Sequence, residues 1–243
     1  MLKSRILALI TILSISNTAY AQFKLSGEYR PRTEFRHGYK LPLESGLEPA
    51  IFTDQRTRLI ADFKNELVTC RFNIQDLRVW GNTSQLNTTD NSLSIHEAWV
   101  QVPLDSLHAI KVGRQEITYD NQRIFGNVDW AQQGRKHDAF IYKYGGKISI
   151  DLGLAYNQDG AALSGGYYTV PKNYKTLQFL RIGKKFKKAK LSLLIINNGN
   201  QSDSTENITT FEQTFGGFSQ INFSENINVV LEGYYQLGET KNF

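Results

Sequence analysis

A chain of 243 residues with 40% apolar residues and a mean hydropathy of −0.39 is too polar to be a bundle of membrane helices, while 12 Tyr, 14 Phe and 19 Gly against one Met and five Pro favour many strands. The formal net charge of +5 falls to +3 once Lys3 and Arg5 are set aside, a balance too mild to argue for nucleic acid. A single cysteine, Cys70, excludes an internal disulfide framework, so an exported fold needs another constraint, which a closed hydrogen-bonded barrel supplies.

Residues 1–21 read as a secretory signal. Lys3 and Arg5 make a basic start, Ile6 to Ile15 is an apolar run too short to span a bilayer as a helix, and Ala19-Tyr20-Ala21 is a small-x-small cleavage signal. That leaves 22–243 as the N-terminal portion of an outer-membrane β-barrel domain. Gln22 to Arg36 alternates with period two: Phe23, Leu25, Tyr29 and Phe35 share one face, and Lys24, Glu28, Arg30, Arg32, Glu34 and Arg36 share the other. A polar face so densely charged suits a strand whose outer side meets lipid and whose inner side meets water. Pro31 cannot donate to a ladder and is expected at a bulge or strand end.

After a loop over His37 to Ala50, the segment from Ile51 to Lys64 repeats the design, with Asp54, Arg56, Arg58 and Asp62 opposite Leu59, Ala61 and Phe63. Leu67 to Trp80 follows after a tight turn, and its pattern slips near Asp76. A bulge there is expected to turn Asp76, Arg78 and Trp80 inward. Gly81 to Ser92 is a loop, Leu93 to Val102 a strand, Pro103 to Leu107 a turn and His108 to Glu116 a strand. Arg135 to Tyr144 returns to Gly145-Gly146, which fits a primed two-residue hairpin. Lys147 to Asn157 alternates cleanly, with Ile150, Leu152, Leu154 and Tyr156 outward. Beyond a long loop, Tyr174 to Gly183, Lys190 to Asn197, Thr209 to Gln220 and Ile227 to Leu237 read as strands. Long loops alternating with short turns give the rhythm of an antiparallel outer-membrane barrel. About eleven strands are present, an odd number where single-chain bacterial barrels close with even ones, so the expectation is an all-β chain holding part of a larger barrel.

Between the fifth and sixth strands lies an irregular, arginine-rich stretch. It carries Gly113-Arg114-Gln115-Glu116, then Asn121-Gln122-Arg123-Ile124-Phe125-Gly126, then Asp129-Trp130-x-Gln132-Gln133-Gly134-Arg135-x-x-Asp138. Together with Gly27-Glu28-Tyr29-Arg30-x-Arg32, Gln55-Arg56-Thr57-Arg58-Leu59 and Gln75-Asp76-x-Arg78-Val79-Trp80, this stretch resembles the alginate export family of outer-membrane proteins. The resemblance covers Gly27 to Asp138. It implies a large barrel, longer than this chain when complete, whose arginine-rich lumen carries anionic polysaccharide or related solutes.

The residues expected to line that path are Arg30, Arg32, Arg56, Arg58, Arg71, Arg78, Arg114, Arg123 and Arg135. Guanidinium groups present a fixed fork to carboxylates, and a ring of them in a narrow pore concentrates anions. The competing reading is that Glu28, Glu34, Asp54 and Asp62 neutralise them in a ladder that only supports the wall. Trp130, inside the loop, is the aromatic best placed to stack on a sugar ring, whereas Trp80 and Trp99 fit a girdle or the wall. Lys184-Lys185-Phe186-Lys187-Lys188 reads as a solvated periplasmic turn, with anionic lipid binding as the alternative. The four histidines have no metal-ligand spacing and Cys70 lies on the lipid-facing register, so neither metal nor cofactor is expected. No catalytic residue is expected either; a barrel hydrolase would need a Ser and a His on one face, and His96 near Ser94 is the nearest approach. The rival classes are thus such a hydrolase and a non-conducting structural barrel. The expected partners are anionic small or polymeric solutes, outer-membrane lipids and the barrel-assembly machinery, with no nucleic acid, in the outer membrane of a Gram-negative bacterium.

Overall fold

A computed structural model of the chain describes residues 22–161, 163–201 and 208–238. The predicted secretory signal lies outside them, as do residues 239–243. Eleven antiparallel strands form one sheet: β1 (Gln22–Arg36), β4 (Ala50–Lys64), β5 (Thr69–Val79), β6 (Leu93–Pro103), β7 (His108–Gln115), β8 (His137–Gly145), β9 (Ser149–Tyr156), β10 (Thr176–Lys185), β11 (Ala189–Gln201), β12 (Thr209–Asn222) and β13 (Asn228–Gly238). Each pairs with its neighbour in sequence, and the described residues contain no helix. A two-stranded ribbon, β2 (Gly38–Tyr39) with β3 (Leu41–Pro42), decorates the first long loop. All the predicted strands are present with ends shifted by a few residues, and the meander is the wall of an outer-membrane-type barrel.

Period-two alternation explains the two faces. Phe23, Leu25, Tyr29, Leu59, Leu193 and Ile195 stand exposed on the outward side, while Arg56, Arg58, Asn73 and Gln75 from the alternating positions are buried on the inward side. Side chains from β1 at one end of the sheet and β13 at the other both reach the loop of residues 116–136, so the sheet curls around that loop.

Four local expectations are corrected. Pro31 sits inside the β1–β4 ladder opposite Gln55 rather than at a bulge or strand end. The β4–β5 register runs unbroken to Val79, which leaves Asp76 and Arg78 beside Thr57 and Gln55 on the outward face. The adjoining Trp80 also bonds Gln55, donating from its indole at 3.0 Å. The bulge lies instead in β6, where His96 is the extra residue between the pairs Asn73–Glu97 and Ile74–Ile95; it turns both His96 and Glu97 inward. The β8–β9 hairpin closes with Gly145 opposite Ser149, and neither Gly145 nor Gly146 takes the positive φ that a primed turn requires.

The inward face is not uniformly polar. On β8 to β11, Ala139, Ile141, Ala155, Leu177, Phe179, Leu194 and Ile196 form an apolar cluster. Gly153 belongs to it: a Cβ there would lie 1.9 Å from the Phe179 ring, so the absent side chain is what admits the phenyl group.

Candidate functional site

The loop leaving β7 folds onto the concave face as two small lobes. The first closes where the Tyr119 amide donates to the Phe125 carbonyl at 3.1 Å, and the second where the Arg135 amide donates to the Asn127 carbonyl at 2.6 Å. Gly134 and the non-glycine residues Asp120, Gln122 and Val128 all take left-handed φ values, the conformational cost of these reversals. Glu116 ties the stem together. Its carboxylate bonds His96 Nε2 at 2.8 Å and accepts from Asn127 Nδ2 at 3.0 Å. Burial works to raise the Glu116 carboxyl, but the bonds to His96 and Asn127 outweigh it and hold the group below its ordinary value.

The first lobe is seated by packing. Ile117 and Phe125 are buried in the apolar cluster, and the Phe125 ring lies 4.8 Å from that of Phe179 and 5.8 Å edge-on from that of Tyr119. The Tyr119 hydroxyl donates to Asp151 Oδ2 at 2.7 Å. Beside it, Asp120 accepts from Arg181 at 2.8 Å and from the Ser192 hydroxyl at 2.6 Å, and pairs with Lys190 at 3.1 Å. Burial opposes ionisation of Asp120, and these donors overcome it, leaving the carboxyl below its usual range.

The second lobe is seated by guanidinium groups. Arg56, 1% exposed, donates to Asp129 Oδ1 at 2.7 Å and to Glu28 at 2.6 Å. Arg30 donates to the carbonyls of Asp129 at 2.7 Å and Ala131 at 3.1 Å, and Arg32 to that of Trp130 at 2.9 Å. Gln75 donates to the Gln133 carbonyl at 3.4 Å, and Gln132 bonds Asp54. Five donors per guanidinium explain how one side chain serves a carboxylate and carbonyls together. Burial pushes the Asp129 carboxyl up, but the Arg56 bond and the charges of Arg56, Arg30 and Arg58 push it down further, and the net shift is downward. The Trp130 indole projects from this lobe 73% exposed.

The structure therefore gathers Arg30, Arg32, Arg56 and Arg58 around one lobe. Arg71 faces inward at a distance, paired with Asp62 at 2.7 Å and Glu97 at 3.4 Å. Arg123 sits on the first lobe 3.7 Å from Glu232 of β13, and among the described residues Arg135 reaches only the Ile124 carbonyl, at 3.5 Å. Arg78, paired with Asp76 and Asp90, and Arg114, paired with Asp138 at 2.8 Å, stand by register on the outward face, away from the lumen. Residues to which the sequence reading gave no part in the site are Tyr119, Asp120 and Arg181, together with Glu116, Phe125 and Asp129, quoted there only within the family motif, and the inward His96, weighed only as half of a hydrolase dyad. A signal for them existed: Ala139, Gly153 and Ala155 are small residues on inward registers, the mark of a wall against which something packs.

The family model for alginate export matches residues 21–160, more than half of the chain. The chain belongs to the alginate export family. The match ends just beyond β9, so it takes in the whole inward loop and both of its strands. The family is one of transport channels rather than enzymes, serving outer-membrane export of polysaccharide. No curated protein matches the chain.

Proposed function

We propose that this protein is an outer-membrane channel passing anionic solutes, anionic polysaccharide or oligosaccharide foremost, along the arginine-bearing side of the lumen beside the inward loop. The observation that carries the reading is the juxtaposition at the second lobe. Arg30 and Arg32 keep 29% and 38% of their side chains exposed, and the indole of Trp130 stands free next to them. A uronate residue offers a carboxylate for a guanidinium fork and a ring face for an indole, so it is the chemistry that uses both groups. On the inward faces of β1 and β4, Lys24, Arg30, Arg32, Arg36, Arg56, Arg58 and Lys64 outnumber Glu28, Glu34, Asp54 and Asp62, which keeps the local field positive after pairing. In this reading Arg56 and the buried Arg58 act as clamps for the loop, and Arg30, Arg32 and Arg36 form the field that a solute meets.

Planar-bilayer recordings across a salt gradient test it. The expected result is an anion-preferring reversal potential that moves toward zero in Arg30→Ser/Arg32→Ser. Current block by an oligouronate should weaken in Trp130→Ala while ion preference stays put. Cation-preferring or unselective currents from the unaltered protein would overturn the reading.

A further inference from the structure

The outward faces of β10 to β13 are not a smooth belt. Gly217 and Gly233 lie directly opposite each other on β12 and β13, and the row continues through Leu193 and Ile182. The two missing side chains leave a groove of about 660 Å³, walled by Ile182, Leu191, Leu193 and Leu231. The groove is shallow and lies open along the outward face, so it suits a chain lying in it rather than a ligand enclosed by it. Phe215 and Tyr235, with rings 5.5 Å apart, cap the row above it.

At its other end the groove runs to Lys184, the outward residue next to the β10–β11 turn. Three further lysines stand in the same turn, Lys185 on the inward register beside Lys190, and Lys187 and Lys188 in the turn itself, with Lys184 Nζ 4.9 Å from the Phe186 ring centroid. The nearby inward lysines are engaged, Lys143 by Asp151 and Lys190 by Asp120, but among the described residues no carboxylate comes within ion-pair distance of these four. The adjoining hairpin turn adds Lys147, and the turn after β12 offers only Glu225. Short turns mark the periplasmic side of such barrels. An apolar groove ending on unneutralised lysines at that level matches a ligand with a hydrocarbon chain and an anionic head.

We propose that this groove binds an anionic phospholipid of the periplasmic leaflet, one acyl chain lying over Gly217 and Gly233 and the phosphate held by the Lys184–Lys188 turn. Each lysine near an anionic headgroup contributes a factor of about five in affinity, so the cluster confers headgroup preference while the groove confers the site.

Native mass spectrometry of the refolded protein, titrated in detergent with dioleoylphosphatidylglycerol or with dioleoylphosphatidylcholine, tests this. The expected result is retention of phosphatidylglycerol at least about tenfold better than phosphatidylcholine. Replacing all four lysines by Gln should bring the two lipids level. Gly233→Leu should lower retention of both, and its fold is safe because a Cβ at Gly233 meets nothing within 4 Å. Heat-modifiable migration on gels verifies that each variant folds. Equal retention of the two lipids by the unaltered protein, or unchanged phosphatidylglycerol retention in both variants, would overturn the proposal. So would a change of oligomeric state in Gly233→Leu with lipid retention intact, which assigns the face to a second copy of the chain.

Discussion

On the β8–β11 side the first lobe of the inward loop is held as a protein core is held, with Phe125 against Phe179 and one caged carboxylate. On the β1–β5 side the second lobe hangs from guanidinium groups that bond its carbonyls and a half-exposed Asp129. The two seats lie on one sheet and bind one loop, yet their physics differs. Apolar packing is not screened by salt and carries no titrating group, whereas a network of partly exposed ion pairs weakens as ionic strength rises and as acid protonates its carboxylates. The first lobe is thus an anchor, and the second is the part of the loop that the lumen's ionic conditions reach.

Perturbing each seat separates these roles. The largest effect is expected from Phe125→Ala, which removes the ring at the centre of the cluster and costs about 4 kcal/mol of unfolding free energy, read by urea denaturation in micelles. Conductance should rise as the lobe detaches; unchanged stability would show that the cluster does not hold the loop. Asp120→Asn leaves Arg181 and Lys190 facing each other without their shared anion and is expected to cost about 3 kcal/mol. Gly153→Ala forces a methyl group into the buried Phe179 ring and costs about 2 kcal/mol by overpacking, a loss that Phe179→Leu in the same chain should partly restore.

The smallest effect belongs to the other seat. Asp129→Asn should cost about 1 kcal/mol or less, since the carboxylate is more than a third exposed and screened, yet it should raise open-channel noise more than Asp120→Asn does. Its folded-state pKa lies below the unfolded value, so its contribution is fully present above the ordinary carboxylate value of 3.8 and is lost as pH falls through the lower folded value. Open-channel noise should therefore stay level from neutrality down to about pH 5 and climb only in stronger acid. A rise starting near neutrality would point to a histidine in place of this carboxylate.

Much of the wall could be read from residue order. The alternation over Gln22–Arg36 and Ala50–Lys64 sets which residues face inward, because a strand's side chains change sides at every step and a charged row cannot face lipid. The slip near Asp76 misled, because β5 keeps its register and only the residue type on its outward side changes: Asp76 and Arg78 pair with each other, and Arg78 with Asp90, so polar residues there do not mark a change of face. The bulge of β6 at His96 shows only once the register with β5 is known.

By itself, the sequence determined the all-β class, the eleven strands, the alternation of long loops with short turns and the inward arginines of β1 and β4, since all of these follow from local periodicity and turn chemistry. Only the tertiary structure decided what the arginines do and where the lumen becomes a core. Arg56 meets Asp129, and Phe125 meets Phe179, across dozens of residues of intervening chain. Such pairings depend on how a curled sheet brings one loop against two different walls, and no periodicity within a strand encodes that.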